Sequence, residues 1–283
     1  MSGTTVSAAY PAYSTAGFQR SVIRVGGVAS VVYAIGAGPV VVYFHGGGTY
    51  HGFEWARDWA SRFRIVLPHH PNFGESGDAD FATLGDYAAH YVRLLDALEL
   101  TRFHLVGASM GGALAVEYAA REPARVDRLV LVSPAGLSAP GVPPPDFSAV
   151  APQDLPALFV HDPKFIEPFW PRAPGPEFLA LRAREDAAAW RTRQDAPAGE
   201  ARLRALLRGL RAPTLLLWGD DDRILPVALL REWSREQPAA TIAIIPQGGH
   251  LLLDESPAAR MLARDFLLGL PLPAAPPHSW RRY

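Results

Sequence analysis

The chain of 283 residues carries 27 basic and 28 acidic side chains, a formal net charge of −1, so it offers no concentrated basic surface of the kind that holds nucleic acid. It has no cysteine, which excludes disulfide frameworks, thiolate metal sites and a thiol nucleophile. Hydrophobic residues make up 49% of it without an 18-residue apolar run, which predicts one or two folded domains with no membrane span.

The amino terminus lacks a basic start followed by a continuous apolar stretch, so no secretory signal is read and a cytoplasmic protein is expected. Short β-rich segments come first: residues 21–25 and 29–34 flank Gly26-Gly27 and read as a hairpin. Residues 40–44, VVVYF, form an apolar run that three glycines end soon after, the pattern of a strand buried on both faces. Helices and strands then alternate, with a helix at 53–62, a strand at 64–67, a helix at 84–98, a strand at 103–106, a helix at 110–121 and a strand at 129–132. Such alternation predicts right-handed crossovers and a mostly parallel, doubly wound α/β sheet of about eight strands.

The rhythm breaks between Pro134 and Pro176, where 12 of the 27 prolines fall within 43 residues. Each proline removes a backbone donor, so long regular helices are not expected there. Residues 136–208 are read as an inserted cap, irregular at first and then helical at 177–193 and 200–208. The core is then 1–135 and 209–283. The alternation resumes with a strand at 214–218, a helix at 227–236, a strand at 241–245 and a last helix at 256–268. The only lysine, Lys164, lies in the proline-rich stretch, which leaves no residue pattern for Schiff-base chemistry or a phosphate-cradling loop.

The sharpest local signal is Gly107-Ala-Ser-Met-Gly111, placed between a predicted strand and a predicted helix. A serine at such a turn is exposed at the carboxyl edge of the sheet. The helix start directs unpaired amides, Met110 N–H among them, at any oxyanion formed there. Serine needs a base, and of nine histidines His250 sits best, in a glycine-rich loop after the strand at 241–245. An orienting carboxylate is on offer from Asp220, Asp221 or Asp222, all following the strand at 214–218. The other readings of these three are a calcium-like acidic turn, disfavoured because the alternating oxygen ligands of a binding loop are absent, and a plain solvated loop.

Together these motifs resemble the α/β-hydrolase fold family in its serine branch, with the order nucleophile, acid, histidine. The resemblance, which spans residues 21–268, implies Ser109 as nucleophile, Asp222 as the acid of the turn beginning at Gly219, and His250 as base. It also implies Gly47 N–H, with Gly48 as the alternative, as first oxyanion donor in the loop His45-Gly46-Gly47-Gly48. His69 and His70 stand where many relatives carry an acidic residue, which is expected to alter loop support. No metal or organic cofactor is required by such a mechanism.

The expected reaction is hydrolysis of a carboxylic ester through an acyl-enzyme. Carbon–carbon bond hydrolysis, proline iminopeptidase action and perhydrolysis use the same groups, and a catalytically silent binding protein is the reading from another class. Leu251 stands where carbon–carbon hydrolases commonly have tryptophan. Aromatic residues of the cap, Phe147, Phe159, Phe165, Phe169, Trp170 and Trp190, suggest a small apolar or aromatic acyl substrate.

Overall fold

A computed structural model describes residues 13–143, 150–151, 154–193 and 196–272. Eight strands form a single sheet: β1 (Gln19–Val25), β2 (Val28–Ile35), β3 (Val40–Phe44), β4 (Arg64–Pro68), β5 (Phe103–Ala108), β6 (Val126–Val132), β7 (Thr214–Gly219) and β8 (Thr241–Ile245). Their spatial order is β1-β2-β4-β3-β5-β6-β7-β8. The first hairpin turns at Gly26 and Gly27, with φ of 56° and 85°, and pairs antiparallel; β4, β3 and everything after them run parallel.

The parallel strands are apolar because helices cover both faces of the sheet. On one face lie α1 (Leu84–Ala97) and α2 (Met110–Arg121), with Tyr87, Tyr91, Leu114 and Tyr118 packed over Phe44 and Leu105. The opposite face carries Trp55 and Trp59 and, near the end of the described chain, Ala263 and Phe266, packed over Val41 and Val106. Helix α1 starts in a reciprocal cap, Thr83 Oγ1 accepting from Asp86 N while the Asp86 carboxylate accepts from Thr83 N.

Between β6 and β7 the chain leaves the sheet. It forms α3 (Pro156–Phe159), a tight turn at Pro163–Phe165, α4 (Pro176–Arg191) and α5 (Ala196–Gly209). Prolines here open helices instead of breaking them: Pro156 and Pro163 begin short turns and Pro176 begins the 16-residue α4, each standing in the first turn, where the missing N–H has no intrahelical partner to lose. After β7 come α6 (Leu230–Glu236), α7 (Leu252–Glu255) and α8 (Pro257–Leu267), the last capped by Ser256 Oγ accepting from Ala259 N. Among the described residues, no helix is long and apolar enough to cross a membrane.

Two expected helices differ. Residues 53–62 form only a 3-10 segment, Glu54–Trp59, because Phe53 gives no side-chain cap and the chain must turn directly into β4. The helix expected at 227–236 divides into a 3-10 turn, Val227–Leu229, and α6, following Pro226. Strand β5 runs two residues beyond its predicted end, to Ala108, and β6 starts three residues before the predicted 129, at Val126.

Candidate active site

Ser109 stands alone between the last residue of β5 and the first of α2, with φ 52° and ψ −122°. Three backbone hydrogen bonds enforce this turn: Ser109 N donates to Val132 O at 3.0 Å, and Ser109 O accepts from Gly112 N and Ala135 N, both at 2.9 Å. The glycines around it are required by close approach. A Cβ at Gly111 would lie 2.1 Å from Phe44 O, and one at Gly107 would lie 2.3 Å from Gly111 O. The loop after β3 reaches the same place, since a Cβ on Gly46 would sit 3.2 Å from Ser109 Cβ and 3.7 Å from its Oγ.

The three carboxylates after β7 separate by partner. Asp220 accepts from Gln247 N at 2.7 Å, and Asp221 pairs with His161 Nδ1 at 2.7 Å and with Arg223 at 2.6 Å. Asp222 is buried; its Oδ1 accepts from Ile224 N and Leu225 N at 3.0 and 2.7 Å, and its Oδ2 receives His250 Nδ1–H at 2.9 Å. The carboxylate thereby fixes which ring nitrogen bears the proton and leaves His250 Nε2 as an acceptor. Gly219 admits the histidine loop to this edge, because a Cβ there would fall 2.1 Å from Gly248 O.

The histidine loop is also tied to the β6–β7 insertion. Leu251 N donates to Phe159 O at 2.8 Å, and the Glu255 carboxylate accepts from Gly249 N and from His161 N. Burial pushes the Glu255 carboxyl up, opposed by these backbone donors. Tyr50, Val160, Ile166 and Phe178 form a buried apolar cluster there, against which Phe159, Phe169, Trp170 and Leu251 pack. The Phe159 ring lies 6.4 Å from that of His250. Two aromatic residues expected to face substrate do not join this cluster: Phe165 is 48% and Trp190 64% exposed. Phe147 lies outside the described residues.

His45, His69 and His70 are internal and neutral. His70 N donates to His45 Nε2 at 2.9 Å, His45 Nδ1 donates to Gly46 O at 2.7 Å, and the two rings stack at 3.7 Å. His70 Nε2 donates to His45 O at 2.9 Å and its Nδ1 accepts from the Tyr91 hydroxyl. Burial pushes His69 down to about 4 and His70 to about 3, and His45 well below the ordinary range. They brace the loops after β3 and β4 rather than exchange protons. Among the described residues no three His, Asp or Glu side chains converge as metal ligands.

A residue that sequence reasoning passed over is Glu185 on α4, which is fully buried. It accepts from Thr49 Oγ1 at 2.6 Å, from Thr49 N at 3.2 Å, from Gly74 N at 3.1 Å and from Arg182 Nη1 at 2.8 Å. The stretch Arg182-Ala-Arg-Glu-Asp186 reads in sequence as a solvated helix face, and no local signal marks which of its charges turns inward.

The profile of the Alpha/beta hydrolase family matches residues 41–264, the span that holds every element of this site. The chain belongs to the alpha/beta hydrolase family. This hydrolase is 29% identical over 264 residues to a 2-hydroxy-6-oxo-6-phenylhexa-2,4-dienoate hydrolase of Burkholderia cepacia, covering 82% of this chain and 88% of that one. It is 30% identical over 274 residues to a 2-hydroxymuconate semialdehyde hydrolase of Pseudomonas sp. strain CF600, covering 85% and 91%. A solved structure of a bacterial membrane phospholipase A superposes with a TM-score of 0.73 at 27% identity, covering 90% of this chain and 87% of that one.

Proposed function

We propose that this hydrolase cleaves a small carboxylic ester with an apolar or aromatic acyl group, using Ser109 as nucleophile, His250 as base and Asp222 as the group that orients the base. Ser109 Oγ adds to the ester carbonyl while its proton passes to His250 Nε2. Met110 N–H, at the positive end of α2, and Gly47 N–H hold the oxyanion. The intermediate collapses, the alkoxide leaves with the proton from His250, and Ser109 is acylated. Water then adds to the acyl carbon, gives its proton to His250, and the acid departs as the proton returns to Ser109.

The observation that carries this reading is the Asp222–His250 pair at 2.9 Å, on the same sheet edge as a serine held at positive φ. The apolar cluster around Tyr50 and Phe159 supports the substrate class. Residues 136–208 are read as a cap over that edge, and the cytoplasm is the compartment assigned to the enzyme.

A second reading, hydrolysis of a carbon–carbon bond beside a carbonyl group, is favoured by the two relatives named above, which are hydrolases of an oxo-dienoate and of a semialdehyde. Two features favour the ester. Leu251 follows His250. The guanidinium beside the glycine loop, Arg182, is taken up by Glu185 at 2.8 Å and by Asp186, so it is not offered to the carboxylate of a dienoate. A panel of p-nitrophenyl esters from acetate to decanoate, run beside a 6-oxo-hexadienoate and with Ser109→Ala as control, separates the readings. The ester reading expects Ser109-dependent turnover of the esters at higher kcat/KM than the dienoate; the reverse ranking overturns it.

A further inference from the structure

Helix α4 lies over the loop that follows β3. Positions 182, 185 and 189 recur on one helical face, and position 192 continues it just past the helix end. Arg182 packs on Gly48, where a Cβ would come 2.3 Å from Nη1, and Ala189 faces Gly47, 3.7 Å from a Cβ placed there. Thr192 Oγ1 lies 4.0 Å from the sulfur of Met110. One helix face therefore contacts both residues whose amides are assigned to the oxyanion.

Glu185 sits in the middle of that face as a buried carboxylate that the acyl-transfer steps do not use. Burying a charge is costly unless donors surround it, and burial does push its carboxyl up. Four hydrogen bonds offset that cost, and three of them come from the loops after β3 and β4 rather than from α4 itself. Gly46, Gly47 and Gly48 have no side chains to fix their peptides, and glycine backbone is the most permissive. Thr49 is the first residue beyond them with a side chain, and both its N–H and its hydroxyl end on Glu185.

We infer that Glu185 is a positioning residue: through Thr49 it holds the glycine loop so that Gly47 N–H is aimed at the oxyanion before substrate arrives. The inference rests on the acyl-transfer reading above. An oxyanion donor acts on the transition state more than on bound substrate, so its misplacement lowers kcat and leaves KM nearly unchanged.

The test uses the full chain with Glu185→Ala and Glu185→Gln, measuring kcat and KM on p-nitrophenyl butyrate per active site counted by fluorophosphonate titration, with thermal unfolding in parallel. Glu185→Ala is expected to lower kcat per titrated site about tenfold or more with KM within about threefold, a part of the loss known for deleting one donor outright. Glu185→Gln, which keeps an acceptor for Thr49 and Gly74, is expected to recover most of it. If the alanine variant does not fold, Thr49→Val replaces it, with a several-fold fall in kcat expected. An unchanged kcat per titrated site beside a lowered Tm, a rise in KM alone, or equal impairment of both Glu185 variants overturns the inference. Wild-type protein that neither labels nor turns over brings down the acyl-transfer reading itself, a result separable from the others.

Discussion

At the scale of single residues, Ser109 combines a strained backbone with a half-buried reactive side chain. A non-glycine residue at φ 52°, ψ −122° costs on the order of 1–3 kcal/mol, and the three backbone hydrogen bonds around it hold the strain. Ser109→Gly is therefore expected to abolish turnover while leaving stability equal or raised by about 1 kcal/mol, read from the urea midpoint; a clear loss of stability would argue against stored strain. Asp222→Asn is expected to lower kcat about 10³- to 10⁴-fold with little change in KM, because the amide favours the wrong ring tautomer; a fall of less than tenfold would remove Asp222 from its assigned role. The serine turn was legible in the sequence because its geometry needs small residues at fixed offsets, and Gly107, Gly111 and Gly112 supply them. Glu185 was not legible, because a charge turns inward only when Thr49 and Gly74, more than 100 positions earlier, come to meet it.

At the scale of elements, the helix–sheet contact behind Ser109 has almost no slack. Gly111→Ala would place a methyl group 2.1 Å from Phe44 O, and the clash is expected to exceed the roughly 1 kcal/mol that alanine gains in a helix. A net loss of about 2 kcal/mol is expected in denaturant unfolding, and a stabilised variant would contradict this packing. A second joint links α5 to α6, where Arg204 meets Glu232 at 3.1 Å and Glu236 at 2.9 Å, both carboxylates being buried. Sequence patterns placed the strands well because VVVYF and the LLLW of β7 are apolar runs with Gly or Pro at or near their ends. They overextended the helix at 53–62, since buried residues at 55, 56 and 59 match a 3-10 segment and an α-helix equally. In the insertion, prolines were read as helix breakers, whereas three of them open helices or turns.

At the scale of the whole molecule, the interior histidines make stability depend on pH. His69, His70 and His90 are held neutral with values near 4, 3 and 4, against about 6.5 when unfolded. Above pH 6.5 neither state binds these protons; below it the unfolded chain takes them up and the folded one does not. Stability is thus expected to fall progressively from pH 6.5 toward pH 4, by several kcal/mol in total, on the order of 1.4 for each pH unit of displacement. Glu185 and Glu255 act in the opposite direction, since burial raises their carboxyls and the folded state gains those protons first. Urea midpoints measured from pH 7.5 to 5 check the balance, and a flat or rising profile on acidification would contradict it. At the sheet edge the loop after β3 meets Ser109 after β5, and the loops after β7 and β8 meet in the Asp222–His250 pair. The account is tested most directly by treating the protein with a fluorophosphonate and locating the adduct by peptide mass spectrometry. It predicts one phosphonyl group per chain, on Ser109, with the rate of modification greatly reduced in His250→Ala. No adduct, an adduct elsewhere, or modification indifferent to His250 would contradict it.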